Sequence, residues 1–184
     1  SQSITPDSLM MKAFSLLCGV ALTVGTALWG YGNPEAASDD WPAWRGPGRN
    51  GHADSLQKLP PALDPGQHTL WEAAVPGRGH GSPIVAGNRI YLVTADKDKQ
   101  SQSLLAYDRA NGELAWTTVI HSGNLPERIN RKATHASNSP AYDGERLYVT
   151  FVNDGAAHAT ALNLQGEKVW STRLTDYKIH QGYG

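Results

Sequence analysis

Short runs of apolar residues alternate with turn residues along the chain after position 40. The runs are rich in β-branched and aromatic residues, as at 90–94 and 147–152, and such residues are favoured in a packed sheet. No stretch after residue 40 keeps a period of 3.6, so almost no helix is expected there. Asp-Gly and Gly-Asn pairs between the runs indicate tight hairpins. The pattern predicts eight strands, at residues 82–86, 89–95, 103–108, 113–120, 139–142, 146–153, 158–163 and 168–174.

The N-terminal part of the chain has a different pattern. Residues 13–34 contain no charged residue; Lys12 precedes them and Glu35 follows. The apolar run and the small residues at 36–38 predict a secretory signal peptide that is cleaved after Ser38. The length of the run also fits an uncleaved single-span anchor. In both cases the charge asymmetry predicts that the following residues are periplasmic or secreted. We assign residues 1–38, here called the leader, to an upstream tail plus this signal peptide or anchor, and we expect a single apolar helix over Ala13–Trp29.

Two later segments repeat each other. Ser82-Pro83 matches Ser139-Pro140, and the Gly-Glu-x-x-Trp sequence at 112–116 matches the one at 166–170. The repeats span residues 80–120 and 135–174, and a loop at 121–134 joins them. Residues 39–79 hold an opening segment and the closing strand of a partial copy with Trp71, while residues 175–184 begin a further copy. Four strands and a closing Trp in each unit are typical of β-propeller blades, so the predicted fold class is all-β.

Composition and charge exclude some classes of function. The chain has 16 Lys and Arg against 17 Asp and Glu, and its pI is about 6.6. This balance argues against a nucleic-acid-binding protein, which usually has a strong excess of basic residues. The single cysteine, Cys18, excludes an internal disulfide and a cysteine-based zinc cluster.

The first repeat resembles that of the pyrroloquinoline-quinone (PQQ) type propellers. The family pattern is Ala-x-Asp-x-x-Thr-Gly with a Trp four residues after the Gly, and it fits at four positions: Ala106, Asp108, Gly112 and Trp116. Asn111 replaces the Thr of the pattern. Residues 161–170 form a degenerate copy in which Asn163 replaces the Asp. The Trp-Pro-Ala-Trp-Arg-Gly-Pro sequence that begins at Trp41 is similar to the opening segment of secreted members of the family.

The resemblance implies a propeller of about seven or eight blades, so two complete blades suggest a fragment. It also implies that seven residues dock one blade onto the next: Trp71, Ala106, Asp108, Gly112, Trp116, Gly166 and Trp170. We expect Trp116 and Trp170 to be largely buried, because a ring of that size contributes most when it is removed from water.

Two classes of function follow from the resemblance. Many relatives are non-catalytic, including the BamB-like scaffold of outer-membrane protein assembly, and this favours a binding or scaffold module that contacts a protein or polymer partner through loops on the propeller face. The alternative is a fragment of a quinoprotein dehydrogenase, which binds PQQ beside a calcium-type ion on the propeller axis. No catalytic or cofactor-binding residue of such an enzyme can be assigned here, so we expect no cofactor. Contact with a membrane is expected only through an uncleaved leader.

Two groups of polar residues are candidates for a binding role. His80, His135 and His180 stand just before the first strand of successive units. Three such imidazoles can hold zinc, but repetition alone produces the same spacing, and we favour a structural hydrogen-bonding role. The 121–134 loop is long for a connection between blades, and long ordered loops often carry function. Its basic residues and the following histidine are candidate contacts for an acidic partner: Arg128, Arg131, Lys132 and His135.

Overall fold

The structure is a computed structural model that describes residues 40–53 and 61–178. The predicted leader helix, its cleavage site and His180 lie outside these ranges. The first element is a single helical turn, α1 (Pro65–His68). Eight strands follow: β1 (Ile84–Ala86), β2 (Arg89–Asp96), β3 (Ser101–Asp108), β4 (Leu114–Ser122), β5 (Ala141–Tyr142), β6 (Leu147–Asn153), β7 (Ala156–Leu162) and β8 (Lys168–Asp176). No helix in the described part of the chain is long and apolar enough to cross a membrane.

The strands form two four-stranded antiparallel sheets, β1-β2-β3-β4 and β5-β6-β7-β8, which confirms the predicted all-β class. The two sheets have matching registers. Ala106 lies between Tyr91 and Trp116 on its neighbouring strands, and Ala161 lies between Tyr148 and Trp170. Each sheet also has a register shift directly after this alanine. The repeat in the sequence is therefore a repeat in space, with one sheet for each unit.

Several strand ends differ from the prediction. The expected strands at 82–86 and 139–142 begin two residues later, at Ile84 and Ala141. Pro83 and Pro140 have no N–H group to donate to the strand ladder. The serines before them form a hydrogen bond with each other instead, in which the Ser82 N–H donates to Ser139 Oγ at 2.9 Å. Around Trp71, where the closing strand of a partial copy is expected, residues 69–75 pair with no strand among residues 40–53 and 61–178.

The main hydrophobic core lies between the two sheets. It joins residues from both of them in one cluster, so each sheet covers apolar surface that the other cannot bury alone. This is the physical reason why such blades stack. The largest buried side chains of the cluster are Tyr91, Ile84, Leu104, Leu147, Leu162, Phe151 and Val93.

The opening segment connects the two sheets at their first strands. Trp41 and Val85 of β1 exchange backbone hydrogen bonds of 2.9 Å, and the Pro42 carbonyl accepts from the Tyr142 N–H of β5 at 2.8 Å. The buried Asp40 accepts a hydrogen bond from the Gly87 N–H through Oδ1, at 2.8 Å. Residues 40–42 thus hold one end of each blade.

Candidate functional site

Tryptophans dock each unit onto the turn of the next one. The Trp71 ring lies against Gly112, and its Nε1 donates to the Arg109 carbonyl at 2.9 Å. The Trp116 ring lies in the same way against Gly166, and its Nε1 donates to the Leu164 carbonyl at 3.2 Å. Both glycines have a positive φ, 74° and 86°, which favours glycine, and both lack the Cβ that would meet the ring.

Trp116 and Trp170 were both expected to be largely buried, but Trp116 is only partly buried. Trp170 departs further from this expectation. Its ring contacts Tyr148, but 39% of the residue is exposed, so it is not largely buried as predicted. No turn equivalent to those around Gly112 and Gly166 covers it within the described residues. The whole of β8 is exposed for the same reason.

The residues of the family pattern fix the turn between the last two strands of a sheet. Asp108 accepts from the Ala110 N–H at 2.9 Å and pairs with Arg89. The Ala110 N–H and the Arg89 guanidinium hold the pKa of Asp108 below its ordinary value. In the second sheet, Asn163 Oδ1 accepts from the N–H groups of Gln165 and Glu167. A side-chain oxygen at this position therefore caps the turn in both repeats.

A buried polar network joins the first sheet to the second. Gln102 is fully buried, and its Nε2 donates to the His135 carbonyl at 2.7 Å and to the Val152 carbonyl at 3.1 Å. Asn153 Nδ2 donates to Gln102 Oε1 at 3.3 Å and to the Gly123 carbonyl at 2.9 Å. The sequence gives little sign of this network, because the partners are far apart along the chain.

This network anchors the connecting loop, which we define as residues 123–140 between β4 and β5. The predicted loop began at His121, but His121 and Ser122 belong to β4. Leu125, Ala133 and Ala136 are buried within the loop. Three cations lie on its exposed side and form no ion pair with any described residue: Arg128, Arg131 and Lys132. The loop is therefore held at both ends and presents free positive charge.

An open cavity of about 400 Å³ lies beside the connecting loop. Its lining carries both signs of charge and one imidazole: Arg78, Asp96, Lys97, Asp98, Glu127 and His135. His135 Nδ1 is buried and has no hydrogen-bond partner. Burial and the neighbouring Lys97 lower the pKa of His135, which favours its neutral form. A neutral ring nitrogen next to mixed charges can accept a hydrogen bond from a ligand.

Of the three histidines that the sequence placed at equivalent positions, the structure describes His80 and His135, whereas His180 lies outside the described residues. The 57-residue repeat spacing pairs Arg78 with His135, rather than His80 with His135. His80 is exposed, and its backbone N–H donates to the Ala136 carbonyl at 2.9 Å. Among residues 40–53 and 61–178, no group of three or more His, Cys, Asp or Glu is placed to hold a metal ion.

A pair of histidines that the sequence did not indicate lies in the contact between the two sheets. The rings of His121 from β4 and His158 from β7 are 4.9 Å apart, and Phe151 lies edge-on to His121 at 6.0 Å. The Nε2 atoms of both histidines are buried without a hydrogen-bond partner. Burial, His158 and Lys168 lower the pKa of His121 to about 4.

Two antiparallel four-stranded sheets, with a Trp of one repeat docked on the turn of the next, define a module of β-propeller blades. The family model described as outer membrane protein assembly factor BamB matches residues 62–181, and the chain belongs to this family of PQQ-like repeat proteins. It is similar to the crystal structure of BamB from Moraxella catarrhalis, with 16% identity and a TM-score of 0.40 over 57% of this chain. The match spans 28% of that protein's chain. No curated protein matches the chain.

Proposed function

We propose that the chain forms part of an extracytoplasmic β-propeller that acts as a non-catalytic binding or scaffold module. The observation that carries this proposal is the connecting loop, which the Gln102 network and three buried apolar residues hold in place. A fixed loop pays little ordering entropy on binding. The uncharged leader at 13–34 supports the location, and the membership in a family of assembly factors supports the scaffold role.

The charge of the loop selects the partner. Arg128, Arg131 and Lys132 are exposed, and the only acidic residue between 121 and 134 is Glu127. A locally basic surface on a nearly neutral protein attracts acidic segments of a protein or polymer. On this proposal no cofactor takes part, so PQQ and Ca²⁺ added to the purified protein produce no dye reduction.

The double substitution Arg128→Ala/Arg131→Ala tests the loop. We expect it to weaken binding of a fluorescein-labelled decaglutamate peptide by about threefold to tenfold, because each exposed ion pair is worth about 0.2–1 kcal/mol. Fluorescence anisotropy at low and high salt measures the affinity, and salt should weaken binding by the wild type more than by the variant.

The matched control is Arg173→Ala/Lys178→Ala, which removes two exposed cations: Arg173 lies in β8, and Lys178 follows β8. It should bind the peptide within twofold of the wild type. Neither pair should change the free energy of unfolding by more than about 0.5 kcal/mol. Equal affinities of the two double variants would remove the connecting loop from the proposal.

A further inference from the structure

A turn within the opening segment carries an exposed aromatic ring. We define the opening turn as residues 43–51. Trp44 is 61% exposed, and the Arg45 guanidinium carbon lies 5.4 Å from the centroid of its ring. A Trp of this exposure does not contribute to the core, and its position beside a cation is not needed for the stacking of the two sheets.

The backbone of the opening turn is fixed by its own hydrogen bonds. Gly46 N–H donates to the Ala43 carbonyl and Gly51 N–H to the Arg45 carbonyl, both at 2.9 Å. Arg45 Nη2 donates to the Asn50 carbonyl at 3.2 Å, so the guanidinium is held across the turn. Arg45 and Arg49 have φ values of 66° and 53°. Residues with a Cβ rarely adopt this conformation, and it is concentrated at functional sites.

The turn is also attached to a rigid base. The ring of Trp41 packs against Gly46, and Trp41 itself pairs with Val85 of β1. The next residue, Pro42, is bonded to Tyr142 of β5. The backbone that carries Trp44, Arg45 and Arg49 is therefore fixed before any partner binds, which lowers the entropic cost of binding.

The composition of the turn indicates what kind of partner it fits. Residues 43–51 contain one Trp and two Arg, but no Lys, Asp or Glu. Trp and Arg are the residues that most often dominate the energy of protein–protein interfaces, whereas Lys is depleted there. Neither Arg45 nor Arg49 forms an ion pair with a described residue. A planar guanidinium binds a carboxylate through two hydrogen bonds.

We propose that the opening turn is a docking site for an acidic polypeptide segment, separate from the connecting loop. An apolar side chain of the segment packs on the free face of Trp44, and neighbouring carboxylates bind Arg45 and Arg49. This inference does not rest on the role of the connecting loop, since the two surfaces share no residue.

The test uses a fluorescein-labelled ten-residue peptide of alternating Glu and Leu, with fluorescence anisotropy as the readout. We expect Trp44→Ala to weaken binding at least tenfold and Arg49→Gln about threefold. A peptide in which every Glu is replaced by Gln should bind at least tenfold more weakly than the Glu-Leu peptide. The matched control is Leu70→Ala, which removes another exposed apolar side chain, 90% exposed, and should bind within twofold of the wild type.

Unchanged affinity in both Trp44→Ala and Arg49→Gln would overturn the proposal. The absence of measurable binding by the wild type at 1 mM protein would also overturn it, because a Kd of about 1 mM is the weakest binding of interest. Tighter, Trp44-dependent binding of polygalacturonate would overturn it in favour of an acidic polysaccharide. Thermal melting shows whether each variant is folded, and Arg49→Gln tests the site even if Trp44→Ala does not fold. If Arg128→Ala/Arg131→Ala loses decaglutamate while Trp44→Ala and Arg49→Gln both keep the Glu-Leu peptide, only the opening turn is refuted.

Discussion

At the scale of single residues, the same structural task is performed by different side chains in the two repeats. Asp108 and Asn163 both cap the turn before the last strand with a side-chain oxygen. Only Asp108 carries a charge, and only Asp108 pairs with an arginine. The capping requires a short acceptor that accepts from the N–H two residues later, so the degenerate repeat keeps its turn although it departs from the family pattern.

Another residue-scale feature, the buried His121, should make stability depend on pH. Its pKa in the folded protein is about 4, against an ordinary value of about 6.5 in the unfolded chain. Between these two values the unfolded state binds more protons, so acid favours unfolding. We expect the free energy of unfolding of the wild type to fall by about 1–3 kcal/mol more than that of His121→Leu between pH 7 and pH 4. Urea denaturation at several pH values measures this.

The neighbours of His121 act in the same direction, since His158 and Lys168 both oppose a positive charge on its ring. The control is His52→Leu at an exposed position, and its pH profile should follow that of the wild type. Parallel profiles for His121→Leu and the wild type would show that His121 is protonated equally in the folded and unfolded states.

At the scale of secondary-structure elements, neighbouring sheets are joined by a contact between the closing Trp of one sheet and a glycine-containing turn of the next. Trp116 of β4 makes this contact with the turn before β8. Two further bonds reinforce it: Thr118 Oγ1 donates to the Gly166 carbonyl at 2.6 Å, and Lys168 Nζ donates to the Ile120 carbonyl at 2.9 Å. Neighbouring sheets are thus joined at their outer strands as well as through the core.

Substitution of the glycine should therefore cost more than backbone strain alone. A Cβ at Gly166 would lie 2.8 Å from the Trp116 ring, whereas a Cβ at Gly155 would meet nothing within 4 Å, although both glycines have a positive φ. We expect Gly155→Ala to destabilise by about 1–2 kcal/mol, and Gly166→Ala by a further 1–3 kcal/mol, roughly, from overpacking. Urea denaturation of both variants measures the difference. Equal losses would show that the ring moves aside without cost.

The sequence predicted the strands better than the contacts between them. Strand positions depend on local features, such as alternating β-branched residues and Asp-Gly turns, and these place each strand within two residues of its observed start. The exposed cations of the connecting loop follow from the loop composition in the same way. The Gln102 network and the His121–His158 pair depend on residues 30 to 51 positions apart. Local propensity does not show which residues meet at such distances.

At the scale of the described part of the molecule, protection from solvent is uneven between equivalent strands. The middle strands of each sheet, β2, β3, β6 and β7, supply most of the core. The outer strands β4 and β8 hold equivalent positions, but β4 is partly covered by the turn at Gly166 whereas every residue of β8 is exposed.

Hydrogen exchange should reproduce this order. We expect the amides of the middle strands to exchange slowest, those of β4 faster and those of β8 fastest, because exchange follows the free energy of local opening. The comparison of β4 with β8 is an internal control, since the two strands have similar lengths and the same place in their sheets. Equal protection of β4 and β8 would mean that the Trp116 contact does not stabilise β4.

The bonds made by residues 40–42 also set an order of folding during synthesis. Asp40 meets Gly87, 47 residues later, and Pro42 meets Tyr142, 100 positions later. Contacts of such separation are entropically expensive to form early. While the ribosome is still making the second blade, the opening segment has only its β1 partner, and its bond to β5 forms after residue 142 has emerged. The contact between the opening segment and β5 therefore forms late in folding and joins the first blade to the second.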